Sequence, residues 1–513
     1  MRPPLTAVNP VLPGFHPDPS VCRLGNDFYV VTSSFGYVPG LPVFHSTDLA
    51  TWRQVGHALD GPSGIPRSGL DPSDGIYAPT LRAHDGTLHL AATDTTRYGN
   101  FVMSTRDPAQ GWGPPVRVDR TGIDPGLAFT DDGRVLMATT ATGGGVAADP
   151  SRTEHAVLIG EIDLATGARI GPVTELTRGW CGRFPEGPRF VRRGRWWYLI
   201  LAEGGTEAGH MVTVARAARP EGPYEPAPHN PVLSHRSRTS PFQCVGHADL
   251  VEAGDGSWWA VCLGTRPQGH PAVAPLGRET FLLPVRWTDD DWPVFGSDGL
   301  VPESVTLPWA GERAPRFVSE TWCFLGEPAR AACRELPDGG IRLSGRDALP
   351  EDGPACSMAL RRLPAPDFTL GAHLRPGPEA EESGLVIWED PRHHYRLALQ
   401  GGKGNRSVEL HRRIGDVRDR TSEQIRVEDD ARLEVRCRDG RLTFVVGASD
   451  GRERVVGTAD IRYLAPEVAG GFTGVLAGAY TAGPEGAVCD FERFTLSEGT
   501  PRTATATAEE GKR

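Results

Sequence analysis

Along roughly the first three hundred positions, short apolar or alternating runs of four to eight residues are broken by Gly, Asp, Asn and Pro, the pattern of β-strands joined by tight turns. The runs recur in a fixed order: one residue leads a short strand, a turn follows, and an apolar or aromatic strand resumes. Asp18 leads PSVCRLG, turns at Asn26-Asp27 and resumes with FYVV. Ala78 leads PTLRAH, turns at Asp85-Gly86 and resumes with TLHLAA. Asp124 leads PGLAFTD with a turn at Asp132-Gly133, Glu186 leads GPRFVR with a turn at Arg193-Gly194, and His247 leads ADLVEAG with a turn at Asp255-Gly256. The leading residues are 60, 46, 62 and 61 apart, the size of propeller blades with variable loops. A second hairpin follows the first, as in 43–59, 101–118 and 157–173, and two hairpins make the four strands of a blade. The pattern predicts an all-β chain whose residues 1–310 form a five-bladed β-propeller. Each leading residue then starts the innermost strand of its blade, and Asp18, Ala78, Asp124, Glu186 and His247 form one ring at one mouth of the central channel.

The repeat ends near LVPESVTLPWAGERAPRF (300–317). Beyond it, strands such as GIRLSGRD, SGLVIWED, HHYRLALQ, SVELHRRI, ARLEVRCRDGRLTFVVG and CDFERFTL alternate without it, which predicts an antiparallel β-sandwich over 316–498. The polar, low-complexity segment 499–513 is expected to be disordered.

A length of 513 residues is too great for one compact core, and 39% hydrophobic residues suffice for two. The formal charge of −11 argues against nucleic acid as a partner, since phosphate contact needs a basic face. No apolar stretch is long enough for an export signal or a membrane anchor, so no membrane partner is expected. Nine scattered cysteines without a C-x-x-C pair fit reduced, buried thiols and a cytoplasmic location. Self-association is left open.

Three acids converging on one channel mouth repel one another, so at least one should keep its proton to a higher pH. Glycoside hydrolysis needs that division: one carboxylic acid protonates the leaving oxygen while a second carboxylate activates water or attacks. Taken singly, Asp-Pro and Glu-Gly-Pro are more often structural caps of turns. Three acids at one register of a repeat favour a catalytic set. His247 has two equal readings, a satisfied core residue or a ligand for substrate or for a divalent cation on the axis. Sugar rings pack their C–H faces on aromatics, which marks Phe35 and Tyr37 in SSFGYVPG and Tyr77 beside Ala78. Trp196, Trp197, Trp258 and Trp259 sit in resumed strands and are expected in the blade core.

These segments resemble glycoside hydrolase family 43, in particular its β-xylosidase/α-L-arabinofuranosidase members with an appended β-sandwich. The resemblance is carried by NPVLPGFHPDPSVCRLGNDFYVVTSSF (9–35), PGLPVFHSTDLATWRQVGHAL (39–59), GIYAPTLR (75–82), GIDPGL (122–127), PEGPRF (185–190), LAEGGTEAGHMVTVARA (201–217), VGHADLVE (245–252) and LGRETFL (276–282). In the C-terminal part, SGLVIWEDPRHHYRLAL and GGFTGVLAGAYTAG look similar to the family's sandwich. The resemblance implies an inverting enzyme with Asp18 as general base, Glu186 as general acid, and Asp124 raising the acid's pKa and orienting the sugar. It implies that Arg278 contacts the sugar, that His247 lies beneath it, and that the sandwich narrows the pocket and favours exo release of one pentose. Phe472 is the candidate to reach in from the sandwich, its alternative being a sandwich core aromatic. The expected activity is release of xylose or arabinose from xylo-oligosaccharides or arabinoxylan fragments. Arabinofuranosidase as the main activity, and a non-catalytic carbohydrate-binding propeller, are the alternatives. No cofactor is required, no metal ligand is assigned, and a divalent cation such as calcium on the axis is left open.

Gly126 and Ala128 stand where similar sequences often carry Ser and an aromatic residue, and Arg189 where His is frequent. These departures bear on the pocket's shape. Arg106-Asp107-Pro108 reads as a hairpin turn, GGKG (401–404) lacks the spacing of a phosphate loop, ATGGGVA is expected to be a flexible loop, and the Asn405 sequon carries no weight without an export signal.

Overall fold

The computed structural model describes residues 4–61, 63–67, 69–142, 155–310, 317, 321–421, 425–447 and 452–499. Most of the ATGGGVA loop and nearly all of the 499–513 tail lie outside them. Five four-stranded antiparallel sheets follow one another along the chain, spanning Ser20–Leu59, Thr80–Arg117, Ile123–Thr177, Glu186–Pro226 and Gln243–Phe295, each in sequential strand order. They are the blades of a β-propeller.

In the third and fifth blades five residues, 130–134 and 253–257, separate the last ladder pairs of the first two strands. The first, second and fourth blades turn in two residues there, and two of these turns sit one residue off the expected place. Leu24 pairs with Asp27 and Arg193 with Trp196, so the turn residues are Gly25-Asn26 and Gly194-Arg195. In both, glycine supplies the left-handed φ of the first turn position, +64° and +57°, which other residues adopt at a cost.

Alternation along each strand loads both faces of the blades, and five apolar clusters fill the gaps between them. Leu41, Leu81 and Leu90 join the first blade to the second; Met103 lies there too, while Val102, Leu127 and Met137 join the second to the third. Leu136 with Phe190 and Trp197, Tyr198 with Trp258 and Phe281, and Phe28 with Trp259 and Leu282 complete the circle. Trp197, Trp258 and Trp259 are thus blade core, as expected. Trp196 lies at the edge, flanked by Arg195 and Arg216. The N-terminal segment fastens the ring: Pro4–Val8 pairs with Ser304–Ala310, and the Asn9 amide pairs with both backbone groups of Leu282.

The C-terminal part is a sandwich of two seven-membered antiparallel sheets. Val488–Glu498 and Phe368–Pro376 lie centrally in one, Leu476–Ala482 and Glu382–Asp390 in the other. Ile387, Leu397, Leu433, Phe444 and Phe491 fill the space between. Helix is confined, among the described residues, to two short α-helices and three 3-10 turns. None is long and apolar enough to cross a membrane. All nine cysteines are unpaired. A separate cluster joins the two domains, with Phe15, Phe35 and Tyr37 of the propeller against Cys323, Met358, Trp388 and Tyr480.

Candidate active site

The inner strands meet the channel through a shared local device. Asp18, Asp124 and His247 adopt left-handed backbone, with φ of +55°, +53° and +49°, a conformation uncommon outside glycine. Strand pairing is irregular at the last two, between Ile123 and Gly126 and between Gly246 and Asp249. The extra residue re-aims the side chain out of the ladder and into the channel. In the fourth blade the left-handed residue is Gly187, φ +58°, so Glu186 stands one residue ahead of the common register. A Cβ on Gly187 would lie 2.7 Å from the His247 ring, which excludes any other residue there.

The five leading residues line one cavity of about 230 Å³, together with Phe35, Tyr77, Arg278 and Phe472. Of the residues marked for the site from the sequence, all but Tyr37 are therefore brought to one place. Tyr37 is buried against Phe15 in the domain junction. A larger cavity of about 750 Å³ between the domains, lined by Arg266, Asp367 and Arg462, holds none of the ring.

The acids are held in opposite states. Burial pushes Asp18 up, but the Arg278 guanidinium at 2.8 Å, then His247 and the Ser33 hydroxyl at 2.6 Å, bring it below the usual carboxylate range. Burial, then the charge of Asp18, raises Glu186 to about 7. Burial, then Glu186 and Asp18, also raise Asp124 well above its ordinary value. Asp124 and Glu186 titrate as a pair that keeps a proton into the neutral range. Of the two, Glu186 is the more open to the pocket, its side chain 28% exposed.

A carboxyl whose pKa is raised by folding favours the fold below its unfolded value, and that contribution is lost as pH rises through the folded value. Glu186→Gln is accordingly expected to raise the thermal midpoint at pH 8 by a few degrees, with the gain fading towards pH 4. Calorimetry of both proteins across that range checks it.

Arg278 spreads its fork over three partners: Asp18, the Thr206 hydroxyl at 3.4 Å and the Phe472 carbonyl at 3.0 Å. Phe472 is 41% exposed, so it is a wall of the pocket and not a sandwich core residue. Its ring lies nearly parallel to Phe35 at 6.2 Å and edge-on to Tyr77 at 6.0 Å. The Ser73 hydroxyl of the propeller accepts the Phe472 N–H at 2.9 Å.

His247 sits under the acids. Its Nε2 is 3.0 Å from Arg189 Nη2 and its Nδ1 is 3.9 Å from Asp18 Oδ1. Among the described residues no group of three or more His, Cys, Asp or Glu could hold a metal ion.

Sequence reasoning missed His155, Phe184, Thr206, Glu207 and His210, which also line the cavity. His155 Nδ1 lies 3.6 Å from Glu186 Oε1. His210 bonds the Cys244 carbonyl through Nδ1 and is held to about 4 by burial, hence neutral. The signal for three of them was the glycine-rich stretch GGTEAGH (204–210), whose glycines let the loop pass close to the pocket. A Cβ on Gly204 would lie 2.0 Å from the Gly209 carbonyl oxygen.

Comparison with known proteins agrees with this geometry. Residues 7–293 match the model of the glycosyl hydrolases family 43, and 315–497 match that of the beta xylosidase C-terminal concanavalin A-like domain. The chain is 39% identical over 497 residues to a non-reducing end α-L-arabinofuranosidase of Bacteroides ovatus, covering 93% of this chain and 91% of that one. It is 32% identical over 527 residues to a xylosidase/arabinosidase of Butyrivibrio fibrisolvens, covering 96% and 99%. The crystal structure of a xylan β-1,4-xylosidase from Bacillus halodurans superposes with a TM-score of 0.86 at 28% identity, covering 96% of this chain and all of that one.

Proposed function

Because the chain belongs to glycoside hydrolase family 43, we propose that it is an inverting exo-hydrolase releasing one terminal pentose, xylose or arabinose, from xylo-oligosaccharides or arabinoxylan fragments. The observation that carries this is the division of the acids: Asp18 is held ionised and Glu186 is held protonated towards neutrality within one small pocket. A sugar-binding propeller without activity has no use for that division.

In the proposed reaction the terminal sugar enters beside Phe35, Tyr77 and Phe472. Asp18 takes a proton from water as the water oxygen bonds the anomeric carbon. Glu186 gives its proton to the departing glycosidic oxygen as the C–O bond breaks. Burial and the charge of Asp18 keep the acid's proton into the neutral range, whereas Asp124, itself held protonated by burial and by Glu186, holds the ring hydroxyls. Arg278 keeps Asp18 ionised and offers donors to the sugar. No step draws on a cofactor. A compartment that keeps thiols reduced suits the nine unpaired cysteines.

The arabinofuranosidase reading has the Bacteroides ovatus relative in its favour, and both pentosides belong in the first experiment. Proton NMR of the first-formed sugar from nitrophenyl β-xyloside and α-L-arabinofuranoside should show the inverted anomer. A retained anomer would overturn inversion, and the ratio of kcat/KM on the two substrates decides the preferred sugar.

Phe472 makes the pocket short. Phe472→Ala removes one aromatic wall and is expected to raise KM for nitrophenyl pentosides by about tenfold, the worth of one aromatic contact. The same change should lessen the preference for terminal over internal linkages. Steady-state kinetics with product sizing on a xylo-oligosaccharide ladder measures both.

A further inference from the structure

Side chains two apart on a strand face the same way. Two residues on from Asp18, Ala78, Asp124, Gly187 and His247, the inner strands therefore present a second layer beneath the acids: Ser20, Thr80, Gly126, Arg189 and Asp249. This layer is not apolar. Arg189 is fully buried in it.

We propose that Arg189 is the resident cation of the propeller axis, closing the ring of blades where a metal ion would otherwise sit and fixing His247 as the tautomer that turns Nδ1–H towards Asp18. The second half rests on the catalytic reading of Asp18.

The guanidinium comes from the fourth blade and reaches three others. Nη2 donates to the Pro79 carbonyl at 2.7 Å and to His247 Nε2 at 3.0 Å. Nη1 donates to the Thr80 hydroxyl, which in turn donates to the Pro125 carbonyl at 2.5 Å. Asp249 completes the circle. It binds Arg82 through both oxygens, at 2.7 and 3.0 Å, and accepts from the Ser20 hydroxyl at 2.6 Å. Arg189 Nε lies 3.9 Å from the same carboxylate. All five blades thus share one polar knot.

Gly126 is the condition for it. A Cβ there would lie 1.9 Å from the Pro188 carbonyl oxygen, so only glycine lets the strand bearing Arg189 come so near the axis. The two departures noted in the sequence, Gly126 and Arg189, are parts of one arrangement.

A divalent cation does not fit the same place. It needs six or more oxygen ligands, and the carbonyls facing the axis are already bonded to the guanidinium chain. Arg82 and Arg189 face one carboxylate, so the layer already carries an excess of positive charge. Burial lowers Arg189 to about 10, which leaves it charged at neutral pH. A charged Arg189 can only donate, so His247 Nε2 must accept, and the ring proton goes to Nδ1. The groups facing His247 are Arg189, Asp18, His210 and Arg278.

Two measurements on the wild-type protein test this. After dialysis, elemental analysis should find substoichiometric calcium, magnesium and manganese, and the thermal midpoint should be the same in EDTA and in calcium. A stoichiometric metal, or a midpoint lowered by the chelator, overturns the axial role. Long-range 1H–15N NMR of the imidazoles, with the His247 signals identified by their loss in His247→Asn, should show Nε2 unprotonated and Nδ1 protonated at pH 7. The reverse tautomer or an imidazolium overturns the positioning role. In Arg189→Met, His247 should populate both tautomers and begin to protonate at a higher pH than in the wild type, with kcat lowered about tenfold or more. An unchanged His247 spectrum in that variant also overturns it. Should Arg189→Met fail to fold, the wild-type spectrum and metal content still decide. Apart from kcat, none of these readings depends on turnover, so failure of the hydrolase reading leaves them distinct.

Discussion

Replacing Glu186 with Ala lowers kcat/KM on xylobiose by about 10³-fold or more, and on a dinitrophenyl pentoside by far less. The asymmetry follows from the role. A sugar alkoxide leaves only as it gains a proton, whereas dinitrophenolate leaves unaided. Loss of the donor is therefore felt in proportion to the basicity of the leaving group. KM should move little, because Glu186 touches the departing oxygen and not the ring held by Phe35, Tyr77 and Phe472. The pH profile gives a second check. The wild-type rate should fall above about pH 7 as Glu186 loses its proton. On the dinitrophenyl substrate the alanine variant should lose that alkaline limb. Equal activity on both substrates, or an alkaline limb that persists, would sink the acid assignment.

The ring of acids was legible because the repeat carries it. A residue at the head of each inner strand recurs at blade spacing, and that alone converts Asp18, Asp124 and Glu186 into neighbours. Other buried acids show why spacing was needed. Glu203 lies within the resemblance segment LAEGG and is fully buried, yet it accepts the N–H groups of Trp180, Cys181 and Gly182 and the Thr213 hydroxyl. Glu279, in LGRET, holds Arg266 and the Gly14 N–H. Both are structural, and neither heads an inner strand.

What the sequence hid came mostly from loops. Phe184, Thr206 and Glu207 reach the pocket from segments that obey no period, and His155 reaches it from the head of the third strand of its blade, a position the inner-strand register does not mark. The shift of Glu186 by one residue was hidden for a related reason. Gly187 takes the strained backbone position in its stead, and only the contact with the His247 ring shows that it must. The second layer, by contrast, was within reach. Ser20, Thr80, Gly126, Arg189 and Asp249 follow from the ring by the two-residue period of a strand. Arg189 drew notice only as a departure, because a single altered residue says little until its partner Gly126 is seen to make room for it.

The base should behave differently from the acid. Asp18→Asn is expected to lower kcat by about 10³-fold or more on good and poor leaving groups alike, with KM within about threefold. Water must be deprotonated whatever departs, so leaving-group basicity cannot compensate. Asparagine keeps the volume and can still meet the Ser33 hydroxyl and Arg278, which makes lost basicity the main change. Because Arg278 holds Asp18 below the usual carboxylate range, the wild-type rate should persist well into the acid before the base protonates. The working window therefore runs from below the usual carboxylate range to about pH 7, its lower edge set by Asp18 and its upper edge by Glu186. In Asp18→Asn the lower edge should vanish, since no group remains there to titrate. A residual activity whose rate depends on leaving group as strongly as in Glu186→Ala would mean that the two roles had been assigned the wrong way round.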